Sequence, residues 1–555
     1  MLLKPNKTNR LAASGIFSLS VAGASPAPAD RAVSRPHFDH HLPGNRLVMS
    51  IRLPSRTSLP FALACLMASV GQAQSIRFHS DDAVVTDRTI DGRRITRPAM
   101  PASTALSAVP SAATGADVCG ATPVGWYGQS LPDGESGTLN PMSFSRSATI
   151  NAHGRIAFSS GVDGAARNQG IFTADAQGLR IVALGCGGDG GSGATDSCGD
   201  PSPIGGSFSG FFGATFATPD INDNGDVLFL ADIHGGSAPR GLFLYRAADA
   251  TFEKVAAVGD PSPLGGTITT LGPGSMNNAD TVVFIAATDG GDSSDVFLWQ
   301  DGVTTKYVAA GDPAPGGGTF SLIGTEYWSY SDGTSIAGGP VPGINQGGMV
   351  SFRGYVSGGQ SAGGLFLSVG GVHAWSVKAG DPTPDGGTYA DFGAPLLNDN
   401  GEIVFYAERL IDSQQLPIWI AGSAGQWRKV FAPYDPVDGG IVWGMAYSRN
   451  PMRALNNAGD VALWISLFMP DQSERSTVLL NHANGDTQTL ATQGQPAAFG
   501  GNWGGSFDGW PSLNQTSQVR IGAATPGFAL SSHVVVTPCT GNDVIFRDGF
   551  DHAAD

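Results

Sequence analysis

Apolar residues along this chain gather in short runs, and each run follows the same polar phrase. Ile150-Asn151-Ala152-His153-Gly154-Arg155 leads into Ile156-Ala157-Phe158. The phrase returns from Asn222 to Phe229, Asn277 to Phe284, Asn345 to Phe352 and Asn398 to Phe405, with degenerate copies from Asn456 and Asn514. Successive anchor asparagines lie 71, 55, 68, 53, 58 and 58 residues apart. Such a period marks an array of one supersecondary unit. Within a unit, residues 267–318 read as four short strands: Thr267–Leu271, Thr281–Ala286, Val296–Trp299 and Thr305–Ala310, with an Asp301-Gly302 hairpin turn between the last two. In Val282-Val283-Phe284-Ile285-Ala286 even and odd positions are alike apolar. Side chains alternate faces in a strand, so both faces of such a sheet must be covered. Four-stranded blades stacked face to face in a ring meet that demand, so the chain is expected to be all-β, a β-propeller of seven blades. A β-solenoid fits less well because its coils are shorter than this period, and separate β-sandwiches would each have too small a core.

A second phrase, Gly-Asp-Pro-x-Pro, closes each unit at Asp200, Asp260, Asp312 and Asp381, with worn versions at Asp435-Pro436 and Gln495-Pro496. Proline ends a ladder and aspartate turns onto the following backbone, so the plain reading is a strand terminator. The sharper reading places Asp200, Asp260, Asp312 and Asp381 around one face, a ring able to hold a cation or a polyhydroxylated ligand. The Asn-x-x-Gly phrase likewise reads as a turn, with Gly supplying a positive φ. Asp220, Asn222 and Asn224 also open a calcium-loop pattern, although its twelfth position is Ala231 in place of glutamate. Calcium is the one cofactor the sequence suggests.

Composition supports the β reading. Charged residues are 14% of the 555, against 79 Gly and 36 Pro, a turn-rich balance short of helix-favouring side chains. Residues 49–73 read as a secretory signal: basic residues Arg52 and Arg56, an apolar run from Leu59 to Val70, and small residues before a cleavage after Ala73. A lipoprotein signal at Cys65 fits less well, and no apolar stretch is long enough for a membrane span. Residues 1–48 are then a misassigned or non-native start, 74–118 a flexible linker, 119–540 the array and 541–555 a short tail. Removing residues 1–73 takes away eight of 31 basic and two of 47 acidic residues, leaving a net charge of −22. Such a surface disfavours nucleic acid and anionic lipid.

Four cysteines remain. Cys186 and Cys198 flank a Gly-rich loop, and Cys119 and Cys539 bracket the array, so the expected disulfides are Cys186–Cys198 and a seam-closing Cys119–Cys539. Val534–Pro538 reads as the final strand of the last blade. Trp328, Tyr330, Trp443, Tyr447, Trp503 and Trp510 suit either sugar stacking or packing between blades. Neither an HExxH nor a P-loop sequence is present. Histidines show no metal spacing, and a distant pair of acids for glycoside chemistry leaves no local signature.

The phrase Asn151-x-x-Gly154-x-x-Ala157-Phe158 resembles the motif of bacterial choice-of-anchor tandem-repeat (NxxGxxAF) exported proteins, over roughly residues 126–530. Trp464 and Val519-Arg520-Ile521 depart from it. The resemblance implies an exported repeat protein with no known enzyme activity. The resulting expectation is a secreted or cell-surface, monomeric binding module with no catalytic centre and no enzyme activity, its partner an extracellular protein or a glycan. The alternative is an extracellular carbohydrate-active hydrolase or lyase on the same scaffold.

Overall fold

The computed structural model describes residues 118–539 apart from short internal stretches, together with a hairpin pairing Arg88–Ile90 with Arg93–Ile95. The expected leader, the rest of the linker and the tail lie outside the described residues. Strands and turns make up the whole of what is described, with no helix long and apolar enough to cross a membrane. Apart from two two-stranded hairpins, the strands form seven antiparallel sheets of four or five strands arranged as a seven-bladed β-propeller.

Blade three shows the unit. Its strands are Ile268–Met276, Val282–Thr288, Ser294–Gln300 and Val303–Val308, each hydrogen-bonded to the next. The first strand runs beyond the stretch expected from sequence and ends at Met276, just before Asn277. In blades one, two, four and five this inner strand comes in two pieces that pair with opposite ends of the second strand.

Seven apolar clusters fill the seams, one between each pair of neighbouring blades. Phe284 packs with Leu228, Leu230 and Leu242 of blade two, whereas Val283 packs with Phe320, Val350 and Phe352 of blade four. Consecutive residues of one strand therefore serve two different cores, which is why the runs are apolar on both faces. Leu463, buried to 1%, fills the aromatic place of blade six; Trp464, half-buried beside it, does not.

The ring closes by sharing a strand between the two ends of the chain. Blade seven orders as Ser512–Leu513, Val519–Thr525, Phe528–Pro538 and then Val118–Trp126. This corrects the reading of Val534–Pro538 as a final strand: it is the third, and the N-terminal strand supplies the fourth. Thr122 pairs with Val535, and Val124 and Val535 pack against Phe158 of blade one. Both expected disulfides form. Cys119–Cys539 ties this seam across 420 residues, and Cys186–Cys198 staples a local loop of sequence separation 12.

Candidate functional site

At one end of the central channel the repeated asparagines do more than shape a turn. Each side-chain oxygen accepts backbone N–H groups of its own turn; that of Asn277 takes Ala279 N and Thr281 N, both at 3.0 Å. Each Nδ2 then donates to the next blade. Asn151 reaches the carbonyl of Asn222 at 3.0 Å, Asn277 that of Asn345, Asn345 that of Asn398, Asn398 that of Asn456, and Asn514 that of Asn151. Two links differ, and for one reason. Where the following phrase lacks its glycine, Asp280 (φ 56) and Ser517 (φ 61) adopt the left-handed conformation, and their side chains intercept the donors of Asn222 and Asn456. All seven asparagines are buried, so each amide is satisfied within the ring.

The cavity inside this belt is about 100 Å³, and Arg453 and Asp220 meet within it. Arg453 of blade six reaches across the axis to Asp220 of blade two, with Nε–Oδ1 at 3.1 Å and Nη2–Oδ2 at 3.3 Å. Burial opposes the arginine's charge, but the carboxylates of Asp220, Asp223 and Asp399 outweigh it and raise its pKa. Asp220 Oδ2 also accepts Met276 N, Asn222 Oδ1 accepts Asp226 N, and Asn224 Nδ2 donates to the Asn278 carbonyl. The three calcium-loop candidates thus stand engaged with partners inside the chain. Among the described residues no three His, Cys, Asp or Glu side chains gather as a metal site.

The Gly-Asp-Pro aspartates lie away from this cavity. Asp260 and Asp312 each cap their own fourth strand with one oxygen, from Ala257 N and Ala309 N, and hold a lysine six residues earlier with the other. Asp381 caps Lys378 N. Asp200 takes Leu184 N and Arg167. Trp443 and Trp503 are buried against Phe468 and Phe507. Tyr330, Tyr447, Trp510 and the side chain of Trp328 lie outside the described residues.

A different group breaks the repeat. Toward the far ends of the first two strands, one rung pairs Asn140 with Gly161, Gly210 with Asp232, Thr270 with Ala287 and Leu322 with Tyr355 in blades one to four. In blade five that rung pairs Asp391 with Glu408, and it is the one described rung carrying two carboxyl groups. Arg353 Nη2 of blade four donates to Asp391 Oδ1 at 2.7 Å, and Tyr355 Oη approaches the same oxygen at 3.4 Å. Arg353 also bonds Tyr355 and lies over its ring, 4.9 Å from the centroid. Burial, then the charge of Asp391, raises the Glu408 pKa against the pull of Arg353. A carboxyl group held by an arginine beside an acid whose pKa is raised is the division of labour acid–base catalysis needs. Sequence reading missed this group because no local motif carries it; aligning the units rung by rung would have exposed two acids where blades one to four hold at most one, Asp232.

The chain belongs to a family of unknown function, DUF7453, whose model matches residues 187–329 and 318–535. No curated protein matches. Among solved structures, a PL25 ulvan lyase bound to a GlcA(1-4)Rha3S chain is similar at 10% identity and TM-score 0.33, covering 76% of this chain and 99% of that one. The polysaccharide lyase Uly1 is similar at 9% identity and TM-score 0.36, with the same coverage. The Trypanosoma rangeli sialidase in complex with the inhibitor DANA follows at 9% identity and TM-score 0.30, covering 78% and 61%. These likenesses are too distant to assign an activity. They do correct the expectation of no enzyme activity: propeller lyases and a sialidase stand among them, so missing catalytic motifs are no ground for excluding catalysis.

Proposed function

We propose that this chain is an exported, carbohydrate-active propeller that hydrolyses glycosidic bonds, with Asp391 and Glu408 as its working pair. The observation that carries the reading is the rung that departs from the repeat: two acids face one another in blade five, with Arg353 and Tyr355 supporting one of them. Opposed residues on antiparallel strands set their Cβ atoms about 5 Å apart. Both side chains then project from one face of the blade, as a neighbouring carboxyl pair of the retaining kind requires. Glu408, its pKa raised by burial and by Asp391, gives its proton to the departing glycosidic oxygen. Asp391 attacks the anomeric carbon, and Glu408, now a carboxylate, takes a proton from the water that releases the sugar. Two disulfides support an oxidising, extracellular setting, and the resemblance to exported NxxGxxAF proteins agrees with it.

The test is reducing-end release from a panel of extracellular polysaccharides by the full chain, with Glu408→Gln and Asp391→Asn as controls. Each variant should lose at least ~100-fold in rate with its melting curve retained. Because Glu408 is the acid and its pKa is raised, the rate should fall as pH rises through that value. Activity untouched by both substitutions would overturn the assignment. Unsaturated uronate products would make the reaction a lyase instead.

A further inference from the structure

An open groove of about 500 Å³ runs along the seam of blades three and four, lined by Lys306, Tyr307, Asp312, the Pro313–Pro315 segment, Gly371 and His373. Two of its side chains, Tyr307 and His373, differ from their counterparts in blades two and five. Counting back from the Gly-Asp-Pro aspartate, Tyr307 stands where blades two and five carry Val255 and Val430, and His373 where they carry Phe252 and Trp427. Across the strand, Ser368 faces His373 as Tyr245 faces Phe252. These three residues form one hydrogen-bonded chain. Tyr307 Oη donates to Ser368 Oγ at 2.9 Å, and Ser368 Oγ lies 2.9 Å from His373 Nδ1.

The serine hydroxyl, already accepting from the tyrosine, has its proton left for Nδ1. Burial lowers the His373 pKa, and in the neutral tautomer with Nδ1 accepting, Nε2 carries the hydrogen. Ser368 is 1% exposed. Placing Tyr307 and His373 where blade two carries Val255 and Phe252 gains nothing for folding, because apolar residues do the same work at those places.

We infer that this groove is a second carbohydrate-binding site, distinct from the Asp391–Glu408 rung, that takes an uncharged pyranose unit of a glycan chain. The inference rests on the glycan-directed reading above and extends it to how the polymer is held. Lys306 is neutralised by Asp312 at 2.7 Å and His373 is uncharged, so the groove offers no free charge for a uronate or sulfate. It offers a phenol ring, a neutral imidazole and prolines, surfaces on which the C–H face of a sugar packs while ring hydroxyls find donors and acceptors. Val369 and Val372, 54% and 76% exposed at the Gly370-Gly371 hairpin tip, add an apolar rim.

The experiment is calorimetric titration of full-length Glu408→Gln protein with neutral gluco-, manno-, xylo- and rhamno-oligosaccharides. Using that variant separates this site from catalysis, so one reading can fail while the other stands. At least one series should bind saturably. Tyr307→Phe and His373→Phe, the latter restoring the residue of blade two, should each weaken it about tenfold with melting temperatures held or raised. Absence of binding across the panel would overturn the inference. So would binding that neither substitution weakens, or a preference for charged over neutral oligosaccharides.

Discussion

Asn514 Nδ2 donates to the backbone carbonyl of Asn151 at 2.9 Å, joining residues 363 positions apart in sequence. The same amide-to-carbonyl step links neighbouring blades elsewhere in the ring. A local motif therefore doubles as the fastening of the whole ring, and its closing link costs no special chemistry. Asn514→Ala leaves the turn N–H groups of Thr516 and Gln518 without their acceptor and takes from the Asn151 carbonyl its link to blade seven, with Gly154 N its remaining donor. It should destabilise the protein by about 1–3 kcal/mol in denaturant unfolding, and Asn277→Ala by a similar amount.

The link at Ser517 offers the opposite sign. Ser517 holds φ 61 and diverts the Asn456 amide onto its hydroxyl. Ser517→Gly removes a left-handed non-glycine residue, whose cost is about 1 kcal/mol, and lets Asn456 reach the carbonyl of Asn514 as the other blades do. The variant should melt higher than the parent; a lower melting temperature would show that the hydroxyl link outweighs the strain.

Ring closure also rests on Cys119–Cys539. The bond constrains a loop of 420 residues, for which chain entropy suggests more than ~4.7 kcal/mol, against about 3 kcal/mol for a short local loop. Replacing Cys119 and Cys539 by Ser should therefore lower the unfolding midpoint more than replacing Cys186 and Cys198. Equal losses would mean that strand pairing between Val118–Trp126 and Phe528–Pro538 holds the seam without help.

Two buried groups predict opposite pH dependences. Burial, reinforced by the Arg520 guanidinium, lowers the His533 pKa well below its ordinary value, so the unfolded chain binds this proton more readily than the folded one. Stability is then present above about pH 6.5 and lost as pH falls below it. Substitution by glutamine should flatten that acid limb.

Asp295 runs the other way. Burial, then the charge of Asp312, pushes its pKa up to about 6 despite a hydrogen bond from Ala310 N. The folded state holds this proton more tightly, so stability falls as pH rises from about 4 to about 6. Asp295→Asn keeps the acceptor and removes the charge, and should raise stability at neutral pH by about 1–2 kcal/mol. Thermal melts at pH 4 and pH 7 check both substitutions.

Much of the architecture was written locally. The Asn-x-x-Gly phrases fixed the number of blades, and apolar doublets such as Val283-Phe284 showed that every sheet is covered on both faces, because strand periodicity turns neighbouring residues to opposite sides. The two disulfides followed from where Cys119, Cys186, Cys198 and Cys539 stand in the array. Contacts between units were not legible in this way. Sequence offered Asp220 as a calcium ligand, whereas folding set it opposite Arg453, 233 residues away on the far side of the axis. Sequence ended the last blade at Pro538, whereas the exposed edge of that strand found Val118–Trp126. Asp391 and Glu408 look unremarkable in their own segments and become a pair only when two strands align in register. Repeats encode what each blade does with its own strands; what residues of different blades do together depends on ring closure, which couples positions no local spacing connects.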